Sequence, residues 1–478
     1  MTERPSLDPG RMKPPFSDEL RRFLARGWGE RAPLGPGDAA AATAAARRRE
    51  CLSERFPGER LVLPAGRLVT RANDTDYAFR AASDYAWATA DQTCEAVLVM
   101  EPVPGGHAGV LYLREATDRS DPDDAFNGAY GEFYVGRRRS LAENAEALGL
   151  ETRSIQTLPG DLDGRSARVV RGEDPLVDSL VPVEDPYLDA ELRAVLSELR
   201  LVKDTWEVDQ LQDAVDATIR GFEDMVSELD RAVATSERWL EGTFFRRART
   251  DGNDIGYGSI VASGPRATAL HWIRNDGPVT PGDLLLIDAG VENRYLYTAD
   301  VTRTLPIGGR FTTAQREVYD LVARAQRASL ALARPGVTVR AFNEEAVRVM
   351  AEGLADWGIL PMSAEESLRE ENGLHRRYTR HGIGHMLGLD VHDCSHARSA
   401  EYLDGVLQPG HVITCEPGLY FDQDDLTVPA ELRGLGIRIE DDLVITTDGH
   451  RLLTEALPRE AVEVEAWMAG IRGRGAGG

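Results

Sequence analysis

Four carboxylates stand in runs of apolar, β-branched residues: Asp288 closes LLLIDAG, Asp300 lies in TADVTRTLPIG, Glu416 follows VITC, and Glu440 lies in GIRIED. Each run reads as a buried strand. A carboxylate is rarely buried there unless it is paired or bound to a metal. Any fold open to this chain must therefore supply positive charge at four strand positions. A single Asp at a strand end is more often a turn former or helix cap. A lone buried His is more often a hydrogen-bonded core residue. Capping does not account for Glu in strand contexts at both Glu416 and Glu440. The histidines add weight, because six of the nine (His375, His381, His385, His392, His396 and His411) fall in one short stretch. Four carboxylates with the imidazole of His385, which closes HGIGH, form a donor set for manganese, cobalt, iron or zinc rather than copper or an iron–sulfur cluster. Two divalent ions would balance the four negative charges, and two ions about 3.5 Å apart can hold and activate a water.

The chain has 478 residues, enough for two or three domains at roughly 150 residues each. Its 55 basic and 79 acidic residues give a net charge of −24. That balance argues against nucleic acid and against an anionic membrane surface as partners. No apolar run approaches the roughly 20 residues that cross a bilayer. The four cysteines form no CxxC pattern and no disulfide framework, and the polar, Pro-rich start is not a secretory signal. A cytoplasmic protein is expected. Residues 1–15 read as disordered. Strand-like RLVLPAG, EAVLVMEP and GVLYLRE alternate with helix-like SLAENAEALGL, which predicts an α/β N-terminal domain over 1–185. The Pro- and Asp-rich stretch 175–186 reads as a linker. A second domain over 190–465 reads helices, strands, helices, strands, with strand-rich blocks at 259–307 and 381–446 and a helical block at 313–357 broken at Pro335-Gly336. That order suggests two similar halves. Residues 466–478 read as a flexible, Gly-rich tail.

The strings YGSIVASG, ALHW, LLLIDAG, DVTRTLPIGGRFT, QREVYDLV, RHGIGHMLGLDVHD, CEPGLYF and GIRIEDDLVIT resemble the pita-bread metallopeptidases, specifically the Xaa-Pro aminopeptidases (aminopeptidase P). More weakly, SDYAWATA followed by EAVLVM resembles that family's creatinase-like N-terminal domain. The resemblance implies an α+β protein: a creatinase-like α/β domain, then a pita-bread domain with pseudo-twofold related halves. It implies a dinuclear site, with manganese as the expected metal, ligated by Asp288, Asp300, His385, Glu416 and Glu440. Asp300 and Glu440 would bridge the ions, Asp288 would bind one, and His385 with Glu416 the other. Asp300 lies twelve positions after Asp288, one more than is common in the family, and the extra residue is expected in the connecting hairpin.

The resemblance also implies a substrate shell. Glu416 would act as general base, His392 would steady the oxyanion, and His381 would line the proline-side pocket. His271 and Tyr257 would form the pocket wall, and Arg438 would lie on the same strand face as Glu440. His375, His396, His411 and His450 match nothing catalytic and are expected at the surface. The expected reaction is hydrolysis of the bond between an N-terminal residue and a following proline. Peptides with proline second are the expected partners, with a homo-oligomer (dimer or tetramer) as the assembly. Prolidase, which cleaves only X-Pro dipeptides, shares all five ligands and stays open as an alternative. Methionine aminopeptidase fits less well, since it usually lacks so large an N-terminal domain. A metal-free creatinase-like hydrolase or binding protein is the reading of a different class.

Overall fold

The computed structural model describes residues 16–475; the expectations for 1–15 and 476–478 lie outside them. Two compact units emerge. One comprises 16–46, Pro57–Ala81 and Asp91–Val183, the other Arg47–Phe56, Ala82–Ala90 and 184–475. Two short stretches of the expected N-terminal domain therefore count with the second unit, for a visible reason. Arg48 donates to the carbonyl of Trp87 and to Asp204, and Arg49 donates to the carbonyl of Ala88.

The first unit is built on a five-stranded sheet. Its strands are β1 (Leu61–Pro64), β2 (Val97–Val103), β3 (Gly106–Leu113), β4 (Glu151–Ser154) and β5 (Arg168–Val169), in the order β4-β3-β2-β1-β5. β1, β2 and β3 are antiparallel neighbours, while β4 and β5 add in parallel at the two edges. Val62, Val97, Val99, Val110, Tyr112 and Leu158 form its core. Burying such a side chain is worth about 1.5–3 kcal/mol. The stretch 175–186 holds a short helix at Pro175–Leu180, started by Asp174, whose side chain accepts from Leu176 N.

In the second unit three long helices come first: α1 (Pro186–Leu201), α2 (Thr205–Ser227) and α3 (Glu237–Asp251). α2 starts at a capping box in which Asp204 and Glu207 satisfy each other's backbone N–H, a reciprocal cap that fixes where the helix begins. Strands β6 (Ile260–Ser263), β7 (Leu284–Ala289) and β8 (Val301–Pro306) form an antiparallel sheet in the order β8-β7-β6. The helical block follows as α4 (Thr313–Leu332) and α5 (Val339–Asp356), with Gly336 at φ +87° turning the chain between them. Strands β9 (Val412–Cys415), β10 (Gly418–Tyr420), β11 (Gly436–Arg438), β12 (Asp441–Ile445) and β13 (His450–Leu452) make the sheet β9-β12-β13 and the pair β10-β11. The second strand-rich block thus begins at β9, not at His381. Residues 381–411 are irregular, as HGIGHMLGLD with its three glycines favours.

The C-terminal expectation is corrected over 466–475. These residues continue helix α6 (Ala461–Gly475), because Ala461, Val464, Met468 and Ile471 recur at helical spacing and are buried. That apolar stripe outweighs the low helix propensity of the three glycines between Gly470 and Gly475. His375 and His411 are likewise not surface residues: they are 7% and 2% exposed. His375 is held by Ser367, whose hydroxyl and carbonyl lie 3.3 and 3.0 Å from its Nδ1. His411 N–H donates to the carbonyl of Gln408.

Candidate metal centre

All six residues of β7 are buried, so Asp288 sits in a dry strand. β7 pairs antiparallel with β8, with Asp288 opposite Thr302. Gly290 allows the hairpin to close, since a Cβ there would collide with the carbonyl of Ala299. The twelve-residue spacing is absorbed in a turn where Asn293 Oδ1 accepts from Tyr295 N (2.9 Å) and Tyr297 N (3.2 Å). Leu296 takes φ +69° there, a left-handed conformation that costs a bulky residue of order 1–3 kcal/mol. At the open end, Tyr257 Oη lies 2.6 Å from Asp288 Oδ1 and 2.5 Å from Asp300 Oδ1. One hydroxyl proton stands between two carboxylate oxygens and cannot fully serve both.

The second half contributes two more carboxylates and the histidines. Segment 383–387 runs antiparallel beside β9: Leu387 N donates to Val412 O, Thr414 N to His385 O, and Glu416 N to Ile383 O at 3.0, 2.9 and 2.7 Å. This ladder sets His385 beside Glu416. The Nδ1 of His385 faces the carbonyl of Met386 at 3.1 Å. Donation there turns Nε2 towards the carboxylates, 3.3 Å from Asp300 Oδ2 and 3.7 Å from Glu416 Oε1, where it carries a proton without a metal and becomes a ligand atom once that proton is lost. Glu440 joins from the chain between β11 and β12. Its N–H donates to Thr302 O at 3.0 Å, and Thr302 Oγ1 donates to Glu440 Oε2 at 2.8 Å. Ligand atoms of Asp300, His385 and Glu440 all lie within 4.8 Å of one another.

A hydrogen-bonded chain joins the halves. Arg438 donates from Nη2 to Asp288 Oδ2 (2.5 Å), from Nε to Thr302 Oγ1 (3.1 Å) and from Nη1 to Tyr420 Oη (2.8 Å). With that donor on its oxygen, Tyr420 gives its own proton to His381 Nε2, 2.6 Å away. His381 Nδ1 then lies 3.3 Å from Glu416 Oε2. His392 packs edge-on against His385, with ring centroids 4.4 Å apart at 86°.

The electrostatics show a cluster short of positive charge. Burial first, then the charges of Asp300, Glu416 and Asp288, push Glu440 far above the usual carboxylate range. Burial raises Asp288 despite Arg438. Burial would lower His385, but the hydrogen bond and charge of Asp300, with Glu416 behind, carry it up to about 9. Burial would raise Glu416, but His381, His385 and Arg438 bring it down to about 2. Burial and the charge of His385 lower His392, leaving it neutral. Neighbouring carboxylates thus split into one anionic and one proton-holding member, as like charges in contact must. Glu440 Oε1 is buried without a hydrogen-bond partner among the described residues, a costly state for a carboxylate oxygen. Oxygen-rich donors, an orphaned acceptor and held protons fit divalent cations as the missing partners. These observations oppose the metal-free alternative.

Every expected ligand is therefore in the cluster, with Arg438, Tyr257 and His381 bonded to it and His392 against His385. His271 is exposed on the loop after β6. Sequence reasoning missed Thr302, Tyr420 and Asp442. Asp442 accepts from Asp300 N at 3.0 Å and lies two residues past Glu440; that alternation was the available signal. Thr302 lies two past Asp300, and Tyr420 sits in the quoted GLYF string.

Comparison with known proteins agrees. Residues 209–447 match the model of metallopeptidase family M24, and residues 45–167 match the aminopeptidase P N-terminal domain. Xaa-Pro aminopeptidase 2 of Streptomyces coelicolor is 55% identical over 96% of this chain and 98% of its own length. The Xaa-Pro aminopeptidase of Escherichia coli is 34% identical over 89% and 97%. Zinc-substituted E. coli aminopeptidase P in complex with product superposes with a TM-score of 0.78 at 32% identity, covering 92% of this chain and all of that one. With the fold, the cluster and these relatives in agreement, the chain belongs to metallopeptidase family M24, in its aminopeptidase P branch with the matching N-terminal domain.

Proposed function

We propose that this protein is an Xaa-Pro aminopeptidase: a metal-dependent exopeptidase that releases the N-terminal residue of peptides with proline at the second position. The observation that carries the reading is the joining of Asp288, Asp300, His385, Glu416 and Glu440 in one buried cluster that holds protons where cations belong. These five would hold two divalent ions, Asp300 and Glu440 between them, and manganese suits four carboxylates with one imidazole. When bound, the ions supply Lewis acidity and a water acidified towards neutrality.

The chain's own residues do the rest. Glu416, anionic and beside His381, takes the proton of the attacking water and returns it to the proline nitrogen as the bond breaks. His392 donates to the oxyanion that develops on the scissile carbonyl. An X-Pro amide has no N–H, so recognition rests on shape: His381, held by Tyr420, walls the ring, with Tyr257 and His271 completing the pocket. Arg438 orients Asp288. The catalytic domain expected over 190–465 extends through helix α6 to 475 and follows the N-terminal domain, and the expected setting is a cytoplasmic homo-oligomer. Among the described residues no helix is long and apolar enough to cross a membrane.

Against prolidase, the two arginines nearest before His381 are already paired. Arg377 grips Asp425 through two 2.8 Å bonds, and Arg380 grips Asp422. Both guanidinium groups already have a carboxylate partner, an observation that favours an open C-terminal side over a dedicated clamp for a dipeptide's carboxylate. The test is digestion of Arg-Pro-Pro and Arg-Pro in parallel, with Mn²⁺ and with chelator. Release of arginine from the tripeptide, lost to chelator and faster than from the dipeptide, is the expected result. Preference for the dipeptide overturns the assignment. Glu416→Ala, with metal content verified, should cut kcat by about 10²- to 10⁴-fold; normal turnover would sink the proton-transfer role.

A further inference from the structure

Asp393, next to His392, takes no part in the chemistry above, yet it is 1% exposed and carries a charge. Its carboxylate meets Lys203 Nζ at 2.9 Å and also pairs with Arg200. Cys394 Sγ donates to Asp393 Oδ2 at 3.2 Å. Arg200 extends the node to Asp84 and Asp390 at 2.8 and 2.7 Å. Lys203 is one of only two lysines in the chain, and its side chain is 1% exposed. A buried network of this kind is costly to build and costly to break on one side.

The node sits at a telling place. Asp393 N–H donates to the carbonyl of Met386 at 2.9 Å, closing the irregular segment 386–393 into a ring. Gly388 lies against the Asp393 carboxylate so tightly that a Cβ there would collide with it. Gly388 O in turn accepts from Thr298 N at 3.0 Å. His385 enters this closed loop and His392 leaves it, and their rings meet at 4.4 Å. The far end of the clamp is fixed as well, because Lys203 N donates to Gly410 O at 2.8 Å, beside β9 with which His385 pairs. No other charged contact to Asp393 is needed to explain its burial.

We infer that Asp393 is a positioning residue: clamped by Arg200 and Lys203 at the end of α1, it closes the 386–393 loop and so sets His392 and His385 in register with each other. The inference rests on the proposed roles of those two histidines.

The test uses Asp393→Asn, which keeps shape and acceptor oxygen but drops the charge, in the full-length protein. Expected are a kcat on Arg-Pro-Pro lowered about 10- to 100-fold, as small misplacement of a reacting group does, with KM within about threefold. Mn²⁺ affinity of the metal-stripped protein should fall about tenfold through His385. If the variant does not fold, Asp393→Asn with Lys203→Met removes one charge of each sign and is expected to fold with the same kcat loss. With Mn²⁺ at saturation, which offsets the loss of affinity through His385, the same substitution on a His392→Ala background should cost little more in kcat, since the rest of its effect acts through His392. A folded variant with wild-type kcat and Mn²⁺ affinity overturns the inference, and so does a full multiplicative loss of kcat on the His392→Ala background at saturating Mn²⁺. If the wild-type protein cleaves no X-Pro peptide, the functional reading fails instead, and the Mn²⁺ titration alone decides the positioning role.

Discussion

At the scale of single residues, the site is a problem of protons. Without cations, Glu440 and Asp288 are pushed up, and His385 is held at about 9. Each ligand must shed its proton before it can coordinate. Metal uptake near pH 7.5 should therefore release protons, with His385 contributing most of one. Calorimetric titration of the stripped protein with Mn²⁺, in buffers of different ionisation heat, reads that number directly. Release of most of one proton per protein is expected at pH 7.5 from His385, falling as pH approaches the His385 value from below. Zero release would mean that the ligands are already ionised and that the cluster holds no excess protons. Tyr257 sharpens the same point, because its one hydroxyl proton stands between two carboxylate oxygens.

At the scale of elements, the substrate-side loop hangs on one buried glutamate. Glu237, in the first turn of α3, is 0% exposed. Its two oxygens accept from Ser263 N, Arg266 Nε, Trp272 Nε1 and Gly277 N at 2.8, 2.6, 2.9 and 2.8 Å. The loop between β6 and β7, with His271 on it, is thereby tied to the helix. Glu237→Gln would turn one acceptor oxygen into a donor facing two donors, at a cost of about 2–4 kcal/mol. KM for Arg-Pro-Pro should rise about tenfold with kcat within about threefold; a lowered melting temperature with KM unchanged would limit Glu237 to stability. Nothing in the sequence marks Glu237, because its partner Trp272 lies 35 residues away. The ligand carboxylates were legible for the opposite reason: a charge inside LLLID or GIRIE is an anomaly in one dimension. Thr302 and Tyr420 were not, since their roles come from partners such as Glu440, 138 residues from Thr302. His375 and His411 were misjudged because a histidine's burial is decided by tertiary neighbours. The helix over 466–475 was missed because glycines masked a correct apolar stripe.

At the scale of the whole molecule, the cluster links metal, pH and stability. A group whose pKa is raised on folding binds its proton better in the folded state, so stability falls as pH rises through the interval. For His385 that interval runs from about 6.5 in the unfolded chain to about 9 in the fold. Its contribution is whole below the lower value and gone above the upper one. Glu440 and Asp288, also raised, act with the same sign from the ordinary carboxylate range upward. The metal-free protein should thus lose stability from about pH 5 to 9. A cation that replaces those protons removes the loss and binds more tightly as they leave. Saturation at 100 times Kd adds about 2.7 kcal/mol, so loading should protect more at high pH than at low. The difference in melting temperature between Mn²⁺-loaded and stripped protein, measured at pH 6.0, 7.2 and 8.5, should therefore widen at each step. Surface repulsion from the net charge of −24 is common to both forms and cancels in the difference. A gap that stays constant or narrows with rising pH would show that these buried groups do not exchange protons for metal. The same scan on Glu440→Gln, which has no proton to exchange there, should flatten the trend while leaving its sign.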